Sequence, residues 1–241
     1  MEQFGGILFI DIETVPVQQQ LAHLQPGMQA EWVKKARLIK NLTDPAPDPS
    51  TVFEERAGIY SEFAKIVCIS FGNIHNDAGI WKIRLKSIAD DDEARLLTNF
   101  ARVVDRMIAT YKDIRFCGHN IKEFDIPFIC RRFVINNIPL PPCLQLSGKK
   151  PWEITHIDTM ELWKFGDNKN FTSLSLLAQV LGIPSPKNDI DGSQVAGVYW
   201  NDHDLQRIST YCIQDVYTTA KVYLRLKGTS GIDLVADYVD G

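Results

Sequence analysis

Five side chains in this sequence have the types and spacing to do chemistry together: Asp11, Glu13, Asp125, Tyr211 and Asp215. Asp11 and Glu13 close the apolar run Ile7-Leu8-Phe9-Ile10-Asp11-Ile12-Glu13-Thr14. A strand repeats every two residues, so both carboxylates point to one face. Tyr211 and Asp215 lie in Thr210-Tyr211-Cys212-Ile213-Gln214-Asp215-Val216, at the spacing of neighbours on one helix face. Carboxylates brought together from distant segments suit hard divalent cations, which take oxygen ligands. Two such ions, Mg2+ or Mn2+, set about 3.5–4 Å apart can clamp the attacking and leaving oxygens of an in-line displacement at phosphorus. On this expectation Asp11 bridges both ions, Glu13 and Asp215 complete one, and Asp125 holds the other directly or through water. Tyr211 would hydrogen-bond and orient the attacking water, since a phenol pKa near 10 makes a poor base at neutral pH.

These groups need elements to position them. The spacing predicts a first strand at about 6–12 and a mostly helical stretch from Val17 to Ile39, followed by a loop at Asp44-Pro45-Ala46-Pro47-Asp48-Pro49-Ser50. Residues 65–73 and 79–85 read as a hairpin turning at His75-Asn76-Asp77. A helix beginning at the acidic run Asp90–Glu93 extends to about Tyr111. Further along come a strand at 114–118, a helix at 126–137, a strand near 154–158, and helices at about 172–181 and 203–227, the last two joined by a loop at Pro184–Gly197. Strands that first meander and then alternate with helices imply an α/β fold, a mixed sheet flanked by helices. The expected organisation is one domain over 1–241 with a helical, Pro-rich insertion at about 14–60.

Composition narrows the class. No apolar run is long enough to span a membrane, and the Met1-Glu2-Gln3 start lacks the basic segment of a signal peptide. The five cysteines (Cys68, Cys117, Cys130, Cys143 and Cys212) show no CxxC pairing. They read as buried free thiols in a reducing cytoplasm, not as a cysteine-built zinc site. A formal net charge of −4 argues against a protein that coats duplex nucleic acid by bulk electrostatics, but not against a nuclease whose carboxylates hold cations. The basic clusters Lys34/Lys35/Arg37/Lys40, Arg131/Arg132 and Lys149/Lys150 read as solvated faces.

Each motif alone has a plain explanation. Asp-x-Glu can end a solvated strand, Asp125 before Ile126-Pro127 can be a helix N-cap, and Tyr211 with Asp215 can be an ordinary helix face. Taken in order, Phe9-Ile10-Asp11-Ile12-Glu13-Thr14, His119-Asn120-Ile121-Lys122-Glu123-Phe124-Asp125 and Tyr211-Cys212-Ile213-Gln214-Asp215 resemble the DEDDy group of 3′–5′ exonucleases in the ribonuclease H-like superfamily. The resemblance is strongest to the proofreading exonuclease domain of family-B DNA polymerases. The second segment fits Asn-x-x-x-Phe-Asp and the third Tyr-x-x-x-Asp. The sister group has histidine five residues before the last aspartate, where this chain has Thr210.

The resemblance implies a metal-dependent hydrolase acting on the 3′ end of single-stranded DNA and releasing nucleoside 5′-monophosphates, in repair or nucleic-acid turnover, alone or recruited by a partner. It also implies substrate contacts at Thr14, at Asn120 by hydrogen bonding, and at Phe124 by apolar contact with sugar or base, a sequence-tolerant mode. A core role for Phe124 is the competing account, and His119 would close a turn. Lys187, in the loop before Asp189-Ile190-Asp191-Gly192, could reach a phosphate or simply face solvent. Asp158, in His156-Ile157-Asp158-Thr159, reads as a strand-end surface residue that could alternatively support the site. Two rival functions stay open: an exoribonuclease trimming RNA 3′ ends, and a non-catalytic nucleic-acid-binding module of the same fold. The second is disfavoured because all four carboxylates and the tyrosine are present. A phosphatase acting on small molecules would leave Asn-x-x-x-Phe-Asp unexplained.

Overall fold

Strand β1 (Ile7–Pro16) organises the architecture, because its two faces serve two different cores. Leu8, Ile10 and Ile12 point into one cluster with Leu96, Phe100, Phe128 and Ile129. Ile7 and Phe9 point the other way, to Val216, Ala220 and Tyr223, and Val15 joins Ile208 and Cys212 on that same side. Asp11 and Glu13 interrupt this second face between Phe9 and Val15, as the period of two requires. The computed structural model describes residues 4–39, 48–167, 171–184, 189–229 and 231–239.

β1 pairs antiparallel with β2 (Ala64–Asp77), which pairs antiparallel with β3 (Ile80–Ala89). On its other side β1 pairs parallel with β4 (Arg115–Gly118), and β4 pairs parallel with the two-residue β5 (Ile157–Asp158). A short β6 (Val235–Tyr238) adds parallel to β3, giving the order β5-β4-β1-β2-β3-β6. The hairpin is longer than expected and turns later. Asp77 faces Ile80 across Ala78 and Gly79, both at positive φ, while His75-Asn76-Asp77 stays in the strand. Two consecutive positive φ angles match the twist of the flanking strands.

Helix α1 (Pro26–Ala36) lies within the stretch expected to be helical, and a 3-10 turn at Leu21–His23 precedes it. Helix α2 (Pro49–Arg56) begins where a loop was expected; Asp48 caps it by accepting from Ser50 N at 3.0 Å. Residues 44–47 of that loop lie outside the described residues. Trp32, Phe53, Ala57 and Phe63 give α1, α2 and the turn at Ala57–Ile59 a small core of their own.

Helix α3 (Glu93–Tyr111) and helix α4 (Asp125–Ile135) cover the Leu8/Ile10 face. Arg132, expected on a solvated face, is instead buried in a bidentate pair with Glu93, whose carboxylate also accepts from Ile66 N and from the Asn136 amide. The periodicity of α4 turns Arg131 outward and Arg132 inward, which the dibasic pair alone could not reveal. Lys40 lies outside the described residues.

Helix α5 (Thr159–Lys164) follows β5 directly, then α6 (Leu174–Val180), α7 (Val195–Gly197) with a π turn at Val198–Asp202, and the long α8 (Leu205–Leu226). α8 packs across β1, β2 and β3. Among the described residues no helix is long and apolar enough to cross a membrane.

Candidate active site

The register between β1 and β2 slips immediately after Glu13. Glu13 faces Cys68 but Thr14 faces Ile66, leaving Val67 as an extra residue. A bulge of this kind bends a strand and re-aims its side chains. Here Val67 and Cys68 both pack toward α8, beside Cys212.

β4 meets β1 only as far as Phe9, so past that point the β1 backbone on that side is open. Chain leaving Gly118 folds down against it. A Cβ at residue 118 would lie 2.8 Å from Ile10 O and 1.9 Å from the Ile121 side chain, so glycine is required for this approach. Asn120 then takes φ +64°, a left-handed conformation asparagine tolerates, and its carbonyl accepts from Phe124 N at 3.1 Å. The turn delivers Asp125, whose Oδ1 accepts from Ile12 N at 3.2 Å, the amide between Asp11 and Glu13. Asp125 is therefore the first residue of α4 but not its side-chain cap; its carboxylate reaches sideways to β1.

Asp158 is not a surface residue. It is buried, and its carboxylate accepts from Asn120 N at 2.9 Å, Lys122 N at 3.1 Å and Met160 N at 2.9 Å. One side chain thus pins the Asn120–Asp125 turn and caps α5. The run Asp158-Thr159-Met160-Glu161 carries the cap-x-x-Glu signature that could have identified α5. His119 bridges Thr159 Oγ1 at 2.9 Å and Thr172 O at 2.8 Å, more than closing its own turn.

From the opposite side α8 brings Tyr211 and Asp215, with the Tyr211 hydroxyl donating to the Asp215 carboxylate. A Cβ on Gly192 would stand 4.0 Å from that hydroxyl, and Ile190 is buried beside α8, so the Asp189–Gly192 segment lies against the phenol. Lys187 itself is outside the described residues. The Thr14 hydroxyl donates to Gly58 O at 2.7 Å, tying the end of β1 to the turn after α2. Asn120 has no side-chain partner among the described residues. Phe124 is half-buried, packing at the edge of the core with its ring 5.4 Å from that of Phe128, so part of its surface serves the core and part stays uncovered.

The four carboxylates influence one another. Burial, then Asp125 and Asp215, push Asp11 well above the usual carboxylate range; burial, then Asp11, does the same to Glu13. Burial pushes Asp125 to about 7 and Asp215 to about 6, with the Tyr211 hydrogen bond holding Asp215 down. Tyr211 is raised above its ordinary phenol value, by burial and then by Asp215. Glu13 is 8% exposed, and its carboxylate has no hydrogen-bond partner among the described residues. A carboxylate held this far from water beside others of like charge is costly unless a cation compensates it. The oxygen-rich donor set fits hard divalent cations. Sequence reasoning missed a neighbour of this set, the Cys212 thiol, which donates to Asp11 Oδ2 at 3.3 Å.

A family model described as a predicted 3′–5′ exonuclease related to the exonuclease domain of PolB matches residues 59–239. The matched region holds Asp125, Tyr211 and Asp215 and starts after Asp11 and Glu13. Among solved structures, the chain is similar to the family B DNA polymerase from the hyperthermophilic archaeon Pyrobaculum calidifontis, with TM-score 0.53 and 15% identity. That similarity covers 91% of this chain and 24% of the polymerase. Such low identity speaks for the fold alone: a ribonuclease H-like α/β arrangement, with a six-stranded mixed sheet flanked by helices. No curated protein matches the sequence.

Proposed function

This chain belongs to the family of predicted 3′–5′ exonucleases related to the exonuclease domain of PolB, and from that premise we propose that it removes nucleotides from the 3′ end of single-stranded DNA and releases nucleoside 5′-monophosphates. The observation that carries this reading is the meeting of Asp11, Glu13, Asp125 and Asp215 from β1, α4 and α8, with Glu13 buried and without a hydrogen-bond partner among the described residues. In this reading the four carboxylates hold two divalent cations, magnesium or manganese. When bound, these supply Lewis-acid activation of water and neutralise charge on the leaving oxygen.

The chain's own side chains set the geometry. Tyr211 is a positioning group: its hydroxyl lies beside the Asp215 carboxylate, where it can hydrogen-bond and orient the attacking water. Its raised pKa excludes it as a base near neutral pH. Asn120 offers to the terminal nucleotide an amide with no partner among the described residues, and the uncovered part of the Phe124 ring offers an apolar face to sugar or base. Thr14, its hydroxyl hydrogen occupied, contributes acceptor capacity or backbone only. Residues 1–241 act as one exonuclease domain carrying an insertion at about 14–60, in cytoplasmic DNA repair or nucleic-acid turnover.

The test uses 5′-labelled single-stranded DNA and RNA of the same sequence, with magnesium, manganese or chelator, and Asp11→Ala in parallel. The expected result is a metal-dependent ladder on DNA that shortens from the 3′ end and is absent in the variant. Faster shortening of RNA would reassign the substrate to RNA 3′ ends. Binding of either strand without cleavage would leave a nucleic-acid-binding module.

A further inference from the structure

The floor of the carboxylate site is made of sulfur. Cys212 follows Tyr211 on α8, is fully buried, and donates its thiol to Asp11 Oδ2 at 3.3 Å and to Asp11 O at 3.4 Å. Ligand atoms of Asp11, Glu13 and Cys212 all lie within 4.8 Å of one another. Cys68, the strand partner of Glu13, lies in the same buried cluster as Cys212. Beyond its packing in the core beside Val15 and Ile208, this thiol widens what the site can hold, because magnesium takes oxygen ligands and leaves sulfur aside. Zinc behaves differently: it accepts thiolate and carboxylate together, in tetrahedral sets.

We infer that the site has a second metal mode, in which Asp11, Glu13 and the Cys212 thiolate hold a soft divalent cation, zinc above all, and that this mode switches the nuclease off. The inference rests on the proposed exonuclease reading for what is inhibited, but not for the ligand set. Two observations converge on it. The Cys212 sulfur already lies against Asp11, and the buried Glu13 carboxylate beside it has no other partner among the described residues. Binding exchanges protons for the metal: the Cys212 S–H bond breaks, a sulfur–metal bond forms, that proton leaves to solvent together with any carried by Asp11 and Glu13, and nothing is oxidised or reduced. Asp11 and Glu13 are then committed to an ion seated on the sulfur floor and are no longer available to magnesium. The cysteine-built zinc site that the CxxC-free spacing argues against is a different arrangement. Here one thiol joins two carboxylates, through residues about two hundred positions apart in the chain.

Cobalt(II) tests the ligand set without reference to catalysis, since a cobalt–thiolate bond gives an intense near-ultraviolet charge-transfer band that oxygen ligands do not. The full-length protein is titrated with cobalt(II), then with zinc to displace it, alongside Cys212→Ser and Cys68→Ala. The expected result is a band in the wild type and in Cys68→Ala that is lost in Cys212→Ser. In parallel, zinc should inhibit the magnesium-supported nuclease, with the half-inhibitory concentration rising about tenfold or more in Cys212→Ser, the scale of disturbing one group of a metal site. Should Cys212→Ser fail to fold by circular dichroism, X-ray absorption on the wild-type zinc complex decides: sulfur at about 2.3 Å supports the site and an oxygen-only shell overturns it. A band that persists undiminished in folded Cys212→Ser also overturns it. A wild-type protein with the band but no nuclease activity would keep the metal site and remove the exonuclease reading, so the two fail separately.

Discussion

Asp125 accepts a hydrogen bond from the backbone N–H of Ile12 at 3.2 Å, and Ile12 stands between Asp11 and Glu13. A carboxylate from the start of α4 therefore locks onto the strand that carries two others. Asparagine and alanine at 125 should separate the two roles of this contact. Asp125→Asn keeps an acceptor for Ile12 N–H but loses the charge, so it should fold normally and lose roughly 10²–10³-fold in nuclease rate, the scale of one electrostatic stabiliser. Asp125→Ala also leaves the amide unpaired, and should melt lower by about 1–3 kcal/mol of stability. Equal stability of the two variants would show that the hydrogen bond has little structural weight.

Without divalent cations the fold should lose stability as pH rises. Asp215 and Asp125 are raised to about 6 and about 7, and Asp11 and Glu13 are raised well above their ordinary values. Such groups bind more protons folded than unfolded. Their favourable contribution is thus complete below the ordinary carboxylate pKa near 4 and is lost as pH climbs through about 6–7 and beyond. Thermal melts in chelator, read as wild type minus Asp125→Asn, should show a difference that grows more unfavourable to the wild type between about pH 5 and pH 8. Added magnesium should close the gap, and a pH-independent difference would contradict the assignment.

Tyr211→Phe keeps a ring beside Gly192 and removes the donor to Asp215. The proposed role predicts a fall in kcat of roughly 10²-fold with a much smaller change in KM, the signature of a group that positions water and does not bind substrate. Because the lost hydrogen bond was holding Asp215 down, the acidic limb of the pH–rate profile should also move to higher pH. A change confined to KM would place the phenol against the nucleotide instead.

Asp158 should prove as important to the turn as any carboxylate in the site, though it is not proposed to touch metal. Asp158→Ala leaves the amides of Asn120, Lys122 and Met160 without their acceptor, at about 1–3 kcal/mol for each that stays buried and unpaired. Hydrogen exchange should speed up at Asn120 and Lys122 before it does at the core of β1, and nuclease rate should fall with the loosened turn. Unchanged exchange at those two amides would return Asp158 to the merely local role of capping α5.

Sequence alone determined a good deal here, because strand and helix periods are local rules. Alternation placed Asp11 and Glu13 on one face of β1, four-residue spacing placed Tyr211 over Asp215 on α8, and the apolar runs gave the hairpin and the layered sheet. Those features follow from neighbours in the chain and could be read from it. Strand β6 could not: its four residues have no period to detect and become a strand only because β3 offers an edge, while the strand expected near 154–158 shrinks to the two residues of β5 that pair with β4. Tertiary structure alone decided that Asp125 bonds to Ile12, that Asp158 is buried under the turn, that Arg132 points inward to Glu93, and that Cys212 lies against Asp11. Each joins residues separated by many elements, and which side chain fills such a position is set by packing between layers, which no local pattern encodes.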